Sequence, residues 1–183
     1  MRILYALTGP PGSGKTTAIL KVKEILESAK VKIDGMYTEE IRVSSKRVGF
    51  KVTRIMTGES GVMAHVDFKT GYTVGKYGVN IRVLEEVGVR GILEGMNSSE
   101  LIIIDEVGPM ELLSNNFITA VRRVLSHQIP AVLTVHYRAS HLLVNEVKRA
   151  ARERLVTLTE YNRDKIPLEI SEEILRALGK ARL

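Results

Sequence analysis

Along the chain, short apolar runs alternate with stretches in which apolar residues recur every three or four positions. The runs are Ile3–Leu7, Leu101–Ile104 ("LIII"), Ala131–Val135 and Leu155–Leu158, each bounded by glycine, proline or charge. Short apolar runs with such boundaries predict buried strands for the first three and a short strand for Leu155–Leu158. Between them, Ala18, Ile19, Val22, Ile25, Leu26 and Ala29 keep helical spacing and predict a helix over Lys15–Ala29. Arg82–Met96 has the same rhythm, weakened by Gly88, Gly91 and Gly95. Ser114 can cap a helix running to about Ser126, Ser140–Arg152 reads as a helix with a basic face, and Pro167 suits the first turn of a last helix ending near Gly179. Gly35–Val43 and Arg47–Met56 alternate as strands joined by a turn at Ser44–Lys46. "TGESG" at 57–61 is a second turn, and Val62–Val66 a third strand. Residues 67–80, with glycines at 71, 75 and 78, carry no clear pattern.

Buried strands alternating with helices predict an α/β fold in three layers. The sheet is mainly parallel and covered on both faces, with an antiparallel hairpin (35–66) inserted between the first strand and "LIII". The 183 residues suit a single domain, 1–183, and neither a repeat nor a linker divides them.

Composition narrows the chemistry. There is no cysteine, which excludes disulfides, thiolate metal sites and cysteine nucleophiles. A net charge of +6 favours anionic partners such as nucleotides, nucleic acid or acidic membranes. Ile3–Leu7 is too short for a signal peptide, and no run approaches the roughly 20 apolar residues of a membrane span. A cytoplasmic protein with no membrane partner is expected.

The most irregular backbone comes directly after the first strand. In "LTGPPGSGKTTAI", residues 7–19, Gly9, Gly14, Lys15 and Thr16 fit G-x-x-x-x-G-K-[ST]. Such a loop wraps phosphates with backbone N–H groups, and the helix that follows adds free N–H donors and partial positive charge. Nucleotide binding is therefore assigned to Gly9, Pro10, Pro11, Gly12, Ser13, Gly14, Lys15, Thr16 and Thr17. Lys15 would reach the β/γ-phosphates, and the Thr16 hydroxyl would reach Mg²⁺. In "LIIIDE" the acid at the end of an apolar strand places Asp105 where open α/β sheets bind ligands, beside Thr16 as a second Mg²⁺ ligand. Glu106, next in the chain, can polarise a water facing the γ-phosphate. Lys15 and Glu106 are the catalytic candidates.

These stretches, with "YTEEIR" (37–42), "RVGF" (47–50), "GKYGVN" (75–80), "DEVGPMEL" (105–112) and "YNRD" (161–164), resemble the small P-loop nucleoside-triphosphatases of thermophiles and animals, the cancer-related NTPase family. The likeness spans nearly the whole chain and departs from the family's DEIGKMEL form at Pro109, which replaces a lysine. It implies a P-loop fold with an extra strand between the loop strand (Walker A) and the "DE" strand (Walker B). It also implies Mg²⁺-dependent hydrolysis of ATP, GTP, CTP and UTP to the diphosphate and phosphate with loose base selectivity.

Glu39, Glu40, Arg42, Arg47 and Asn80 are candidates for the γ-phosphate or acceptor side, largely through this resemblance, and Gly75–Asn80 could form a hinged loop there. Asn162 and Arg163 are candidates for the base, since a guanidinium stacks on any base and an amide can bond to its edge. His136 and His141, five residues apart, share no helical face and gain no third ligand, so no zinc site is expected. The basic run Lys148, Arg149, Arg152 and Arg154 reads as a solvated face, and with no Trp and nine Phe and Tyr together a base-stacking platform for RNA is not expected. A monomer is expected. Two alternatives stay open: a kinase for a nucleoside, nucleotide or RNA end with its acceptor groups in 37–80, and a non-catalytic nucleotide switch associated with RNA.

Overall fold

Strands that are apolar on both sides can be hidden only between two layers of helices, and that is the arrangement found. The computed structural model of the chain describes residues 2–180. In chain order its elements are β1 (Leu4–Thr8), α1 (Lys15–Ser28), β2 (Ile33–Val43), β3 (Lys46–Arg54), β4 (Ser60–His65), β5 (Thr73–Val74), β6 (Tyr77–Val79), α2 (Ile81–Val83), a π-helical segment (Leu84–Val89), α3 (Arg90–Ser98), β7 (Leu101–Val107), α4 (Asn115–Ser126), β8 (Ala131–Val135), α5 (Leu142–Ala151), β9 (Leu155–Thr157) and α6 (Ile166–Ala177). The strands form one sheet in the order β5-β6-β4-β3-β2-β7-β8-β1-β9. β9, β1, β8, β7 and the start of β2 run parallel, and the edge beyond β2 is antiparallel. β8 is thus the strand between the loop strand β1 and the "DE" strand β7, the extra strand that the resemblance implies.

Leu101–Ile104 are fully buried because both faces of β7 are covered. On one face Leu7, Ile103 and Val132 pack with α1 and α6 through Ile19, Val22, Leu26 and Ile174. On the other, Ile102, Ile104 and Leu133 pack with α3, α4 and α5 through Ile92, Phe117, Val121 and Val147. Among the described residues no helix is long and apolar enough to cross a membrane.

Three departures from the sequence reading have physical causes. β2 starts at Ile33 rather than Gly35, because Ile33–Met36 pair with Leu101–Ile104 of β7 before the strand leaves for its hairpin with β3. The weak pattern at 67–80 folds as the β5–β6 hairpin on the sheet edge. The glycines that weaken the 82–96 helix are its contact face. A Cβ at Gly88 would stand 2.7 Å from Met36 Sδ, at Gly91 2.6 Å from Gly35 O, and at Gly95 2.6 Å from Asp34 Cβ. Each glycine costs a helix about 1 kcal/mol relative to alanine; here the gain is direct packing of the helix on β2. The basic run is also less uniform than it reads. Arg154 is bonded to Glu173 and lies 5.9 Å from the Tyr5 ring, tying β9 and β1 to α6.

Candidate active site

The loop between β1 and α1 turns back on itself at Ser13, whose N–H donates to Pro10 O at 3.0 Å. Gly14 sits in left-handed backbone (φ 93°, ψ 26°) at the position before the first turn of α1, a conformation open to glycine at little cost. The helix then starts at Lys15, so the N–H groups of its first turn are free to meet an anion. Lys15 reaches back across the loop and donates from Nζ to Gly9 O at 2.8 Å. Thr8 Oγ1 and Ser13 Oγ are buried beside the loop without partners among the described residues.

Opposite the loop stands Asp105, buried within β7. The strand continues past it to Val107, with its register against β8 shifted between Ile104 and Val107. Asp105 and Glu106 are therefore strand residues at an irregularity, not residues beyond the strand end. Asp105 Oδ2 accepts from Thr16 Oγ1 at 3.0 Å, and Oδ1 from Thr134 Oγ1 of β8 at 2.6 Å. Burial raises the Asp105 pKa, against the hydrogen bonds from Thr134, Thr16 and the Thr38 backbone. Glu106 folds back over Gly108, where a Cβ would come within 2.6 Å of its Oε1; glycine is what leaves room for that carboxylate. Burial and the adjacent Asp105 push the Glu106 pKa up to about 7, while Lys15 pulls it down. A cation bound at Asp105 would act in the same sense as Lys15.

Gly9, Gly14, Lys15, Thr16, Asp105 and Glu106 line one cleft of about 750 Å³, which runs from the P-loop past the two acids to β2, β3 and the β5–β6 hairpin. A second cavity of about 480 Å³, between the 84–94 helix and α4, holds none of them.

The model of a family described as NTPase matches residues 4–171. The chain belongs to the NTPase family. It is 42% identical over 177 residues to nucleoside-triphosphatase THEP1 of Thermofilum pendens, covering 96% of this chain and 97% of that one. It is 37% identical to THEP1 of Methanosarcina acetivorans, covering 95% and 98%. The crystal structure of THEP1 from the hyperthermophile Aquifex aeolicus superposes with a TM-score of 0.79 at 34% identity, over 92% of this chain and 96% of that one. The solution structure of a human cancer-related nucleoside triphosphatase gives 0.76 at 31% identity, over 96% and 98%. The family recognised in the sequence is the one these comparisons find.

The remaining candidates divide by position. Glu39, Glu40 and Arg47 line the far end of the cleft. Arg47 is held there by Glu40 Oε1 and Tyr77 Oη, both at 3.0 Å, with its guanidinium 5.3 Å from the Phe50 ring. Arg42 is turned to the hairpin tip, bonded to Glu40 and Ser45 O, outside the cleft. Asn80 caps α2 by accepting from Val83 N and is likewise not on the cleft wall, although Val74, Gly75 and Tyr77 before it are. Asn162 spends its amide on backbone, accepting from Thr159 N and donating to Thr157 O, and so holds the turn before α6. Arg163 packs over the loop, its Cδ 3.6 Å from where a Cβ on Gly14 would stand.

Sequence reasoning gave no role here to three groups: Thr134 behind Asp105, and Glu111 and His136 in the cleft wall. Thr134 is the one hydroxyl in the buried run "AVLTV", an anomaly that was readable as a polar partner. Glu111 is a buried carboxyl in the short 3₁₀ turn 111–113, and burial together with the charge of Glu106 holds its pKa well above the usual range. It lies inside "DEVGPMEL", but nothing in that string shows it is buried. His136 lines the cleft beside Lys15, and burial and that lysine lower its pKa.

Proposed function

We propose that residues 1–183 act as a single-domain, Mg²⁺-dependent nucleoside-triphosphate phosphohydrolase with little discrimination between bases. The observation that carries this reading is the meeting of Lys15, Thr16, Asp105 and Glu106 in one cleft at a helix N-terminus. The N–H groups of Gly12–Thr17 would bind the phosphate chain and Lys15 the β/γ-oxygens as a point charge. The Thr16 hydroxyl and Asp105 carboxylate, already 3.0 Å apart, form the oxygen-donor set a hard cation prefers. Mg²⁺ held there would neutralise charge that develops on the phosphate oxygens.

Glu106 would act on water as a general base. One water O–H proton passes to its carboxylate, the oxygen bonds to the γ-phosphorus, and the Pγ–O bond to the β-phosphate breaks. The products are the diphosphate and phosphate, and Glu106 then gives its proton back to solvent. Loose base selectivity is supported by the turn where a base would lie. Tyr161 is 90% exposed, Asn162 is engaged with backbone, and Arg163 offers only a flat cation. We propose that it acts as a monomer. The cytoplasm, where nucleoside triphosphates are made, is the compartment we propose.

One observation favours a second reading. The end of the cleft beyond Glu106 is walled by Phe50, Met63, Val74 and Tyr77, apolar groups a triphosphate does not need, and a phosphoryl acceptor could occupy it. The experiment is to incubate the protein with Mg²⁺ and each of ATP, GTP, CTP and UTP, with no acceptor present, and to quantify diphosphate and phosphate. Stoichiometric release from all four is expected. Diphosphate formed only on addition of an acceptor, without matching phosphate because the phosphoryl group stays on the acceptor, would replace the hydrolase reading with the phosphotransferase one.

A further inference from the structure

We infer that His136 is a catalytic residue of this cleft, donating its Nε2–H to the γ-phosphate and so distinguishing a triphosphate from a diphosphate. The inference rests on the hydrolase reading for the location of the γ-phosphate, but its own evidence is separate. β8 lies between β1 and β7, so its carboxyl end opens between the P-loop and Glu106. His136 is the first residue beyond that end and lines the cleft with Lys15 and Glu106. Two hydrogen bonds fix it. Its backbone N–H donates to Val107 O of β7 at 3.1 Å, and its Nδ1 accepts from Arg138 N–H at 3.2 Å. A ring nitrogen that accepts carries no proton, so the neutral imidazole holds its hydrogen on Nε2. That N–H makes no hydrogen bond among the described residues. Burial and the Lys15 charge both lower its pKa and so favour the neutral ring. His136 is therefore a fixed, uncharged donor in a site that already has its cation.

A site shared with His141 does not compete for it. His141 uses its own Nδ1 to cap α5 at Leu143 N, and no cluster of three metal-binding side chains occurs among the described residues. A donor aimed at charge that develops in the transition state is worth about 10²–10³ in kcat. A hydrogen bond to a charged group also contributes tenfold or more, in rough terms, to binding.

The test compares wild type, His136→Ala and His136→Gln, the glutamine amide serving as a replacement N–H donor. Turnover of ATP is measured together with the affinities for ADP and for a β,γ-imido triphosphate. For His136→Ala we expect kcat to fall by about 10²–10³ and triphosphate affinity by about tenfold or more. Affinity for ADP should stay within about twofold, which also certifies the fold, and His136→Gln should recover part of both losses. Hydrolysis by His136→Ala within about threefold of wild type would overturn the inference. So would equal losses for tri- and diphosphate, which would make His136 a structural residue. If wild type releases no phosphate yet prefers the triphosphate, and His136→Ala loses that preference, the hydrolase reading falls and the γ-phosphate contact stands.

Discussion

The two ends of the cleft treat carboxylates in opposite ways. At the P-loop end Asp105 and Glu111 are buried and Glu106 is half-buried, interacting with both by charge, with Lys15 as the nearby cation, and all three pKa values are raised. At the hairpin end each carboxylate meets cations at the surface: Glu39 with Lys51 at 3.2 Å, and Glu40 with Arg42 at 2.6 Å and Arg47 at 3.0 Å. There the partial burial of Glu40 is outweighed by the hydrogen bonds from Arg47 and Arg42, and its pKa is lowered. Surface pairs of this kind stabilise by about 0–1 kcal/mol. Buried like charges cost folding energy and persist where they serve chemistry. The comparison teaches which end is built for reaction: one concentrates negative charge for a cation and a proton to relieve, and the other is already neutralised.

The largest effects should come from the charged end. Lys15→Ala should weaken nucleotide binding and abolish measurable turnover, because the point charge on the β/γ-oxygens is lost; undiminished phosphate release would dissolve the site. Glu106→Gln should bind Mg²⁺–nucleotide at least as well as wild type and turn over about 10²–10⁴-fold more slowly. Affinity by fluorescence and phosphate release on one preparation would check it, and joint loss of both would recast Glu106 as structural.

Thr134→Val removes a hydroxyl from Asp105 while keeping the shape. The Mg²⁺ concentration for half-maximal rate should rise by about 10–100-fold. Nucleotide binding measured without Mg²⁺ should not change. An unaltered Mg²⁺ titration would show that Thr134 does not position the carboxylate.

Glu111→Gln tests the cost of the buried charge. The folded pKa of Glu111 is raised, so the native state holds its proton where the unfolded chain has lost it. Stability from this group is fully present below the unfolded carboxylate range and is lost as pH rises toward the folded pKa. The glutamine variant should therefore gain Tm relative to wild type at pH 8 and not at pH 4, at about 2–4 °C for each kcal/mol. An equal change at both pH values would mean the carboxyl is not titrating on unfolding. The smallest effect belongs to the neutralised end. Arg42→Ala should change stability by about 0–1 kcal/mol and leave turnover alone. A large loss of rate there would erase the contrast between the two ends.

How much was legible follows from how far apart the cooperating residues lie. The P-loop is a local device. Its glycines, the lysine and the helix start sit within nine residues, and backbone geometry at Gly14 needs nothing from elsewhere. The buried strands and most helices were legible for the same reason, since periodicity is local, and Ser114 does cap its helix at Phe117 N as its position suggested. Of the partners of Asp105, Thr16 was expected from the phosphate-loop pattern and is found there, but Thr134 and Thr38 were not legible. Thr16, Thr134 and Thr38 come from three elements that meet only because β8 slots between β1 and β7 and β2 lies on the far side of β7. Burial of Glu111 depends on the same assembly. The glycines at 88, 91 and 95 read as defects until a helix is laid on β2, where their missing side chains are the fit. Asn162 and Arg42 show the converse. Each has the chemistry for a ligand, and a neighbouring backbone or carboxylate uses it. Sequence by itself determined the class of fold, the phosphate loop and the acid pair, because those are written in consecutive residues. Tertiary structure alone decided which further side chains share the cleft, because hydrogen bonds and burial act across space, and the sheet order that puts β8 between β1 and β7 joins residues more than a hundred positions apart.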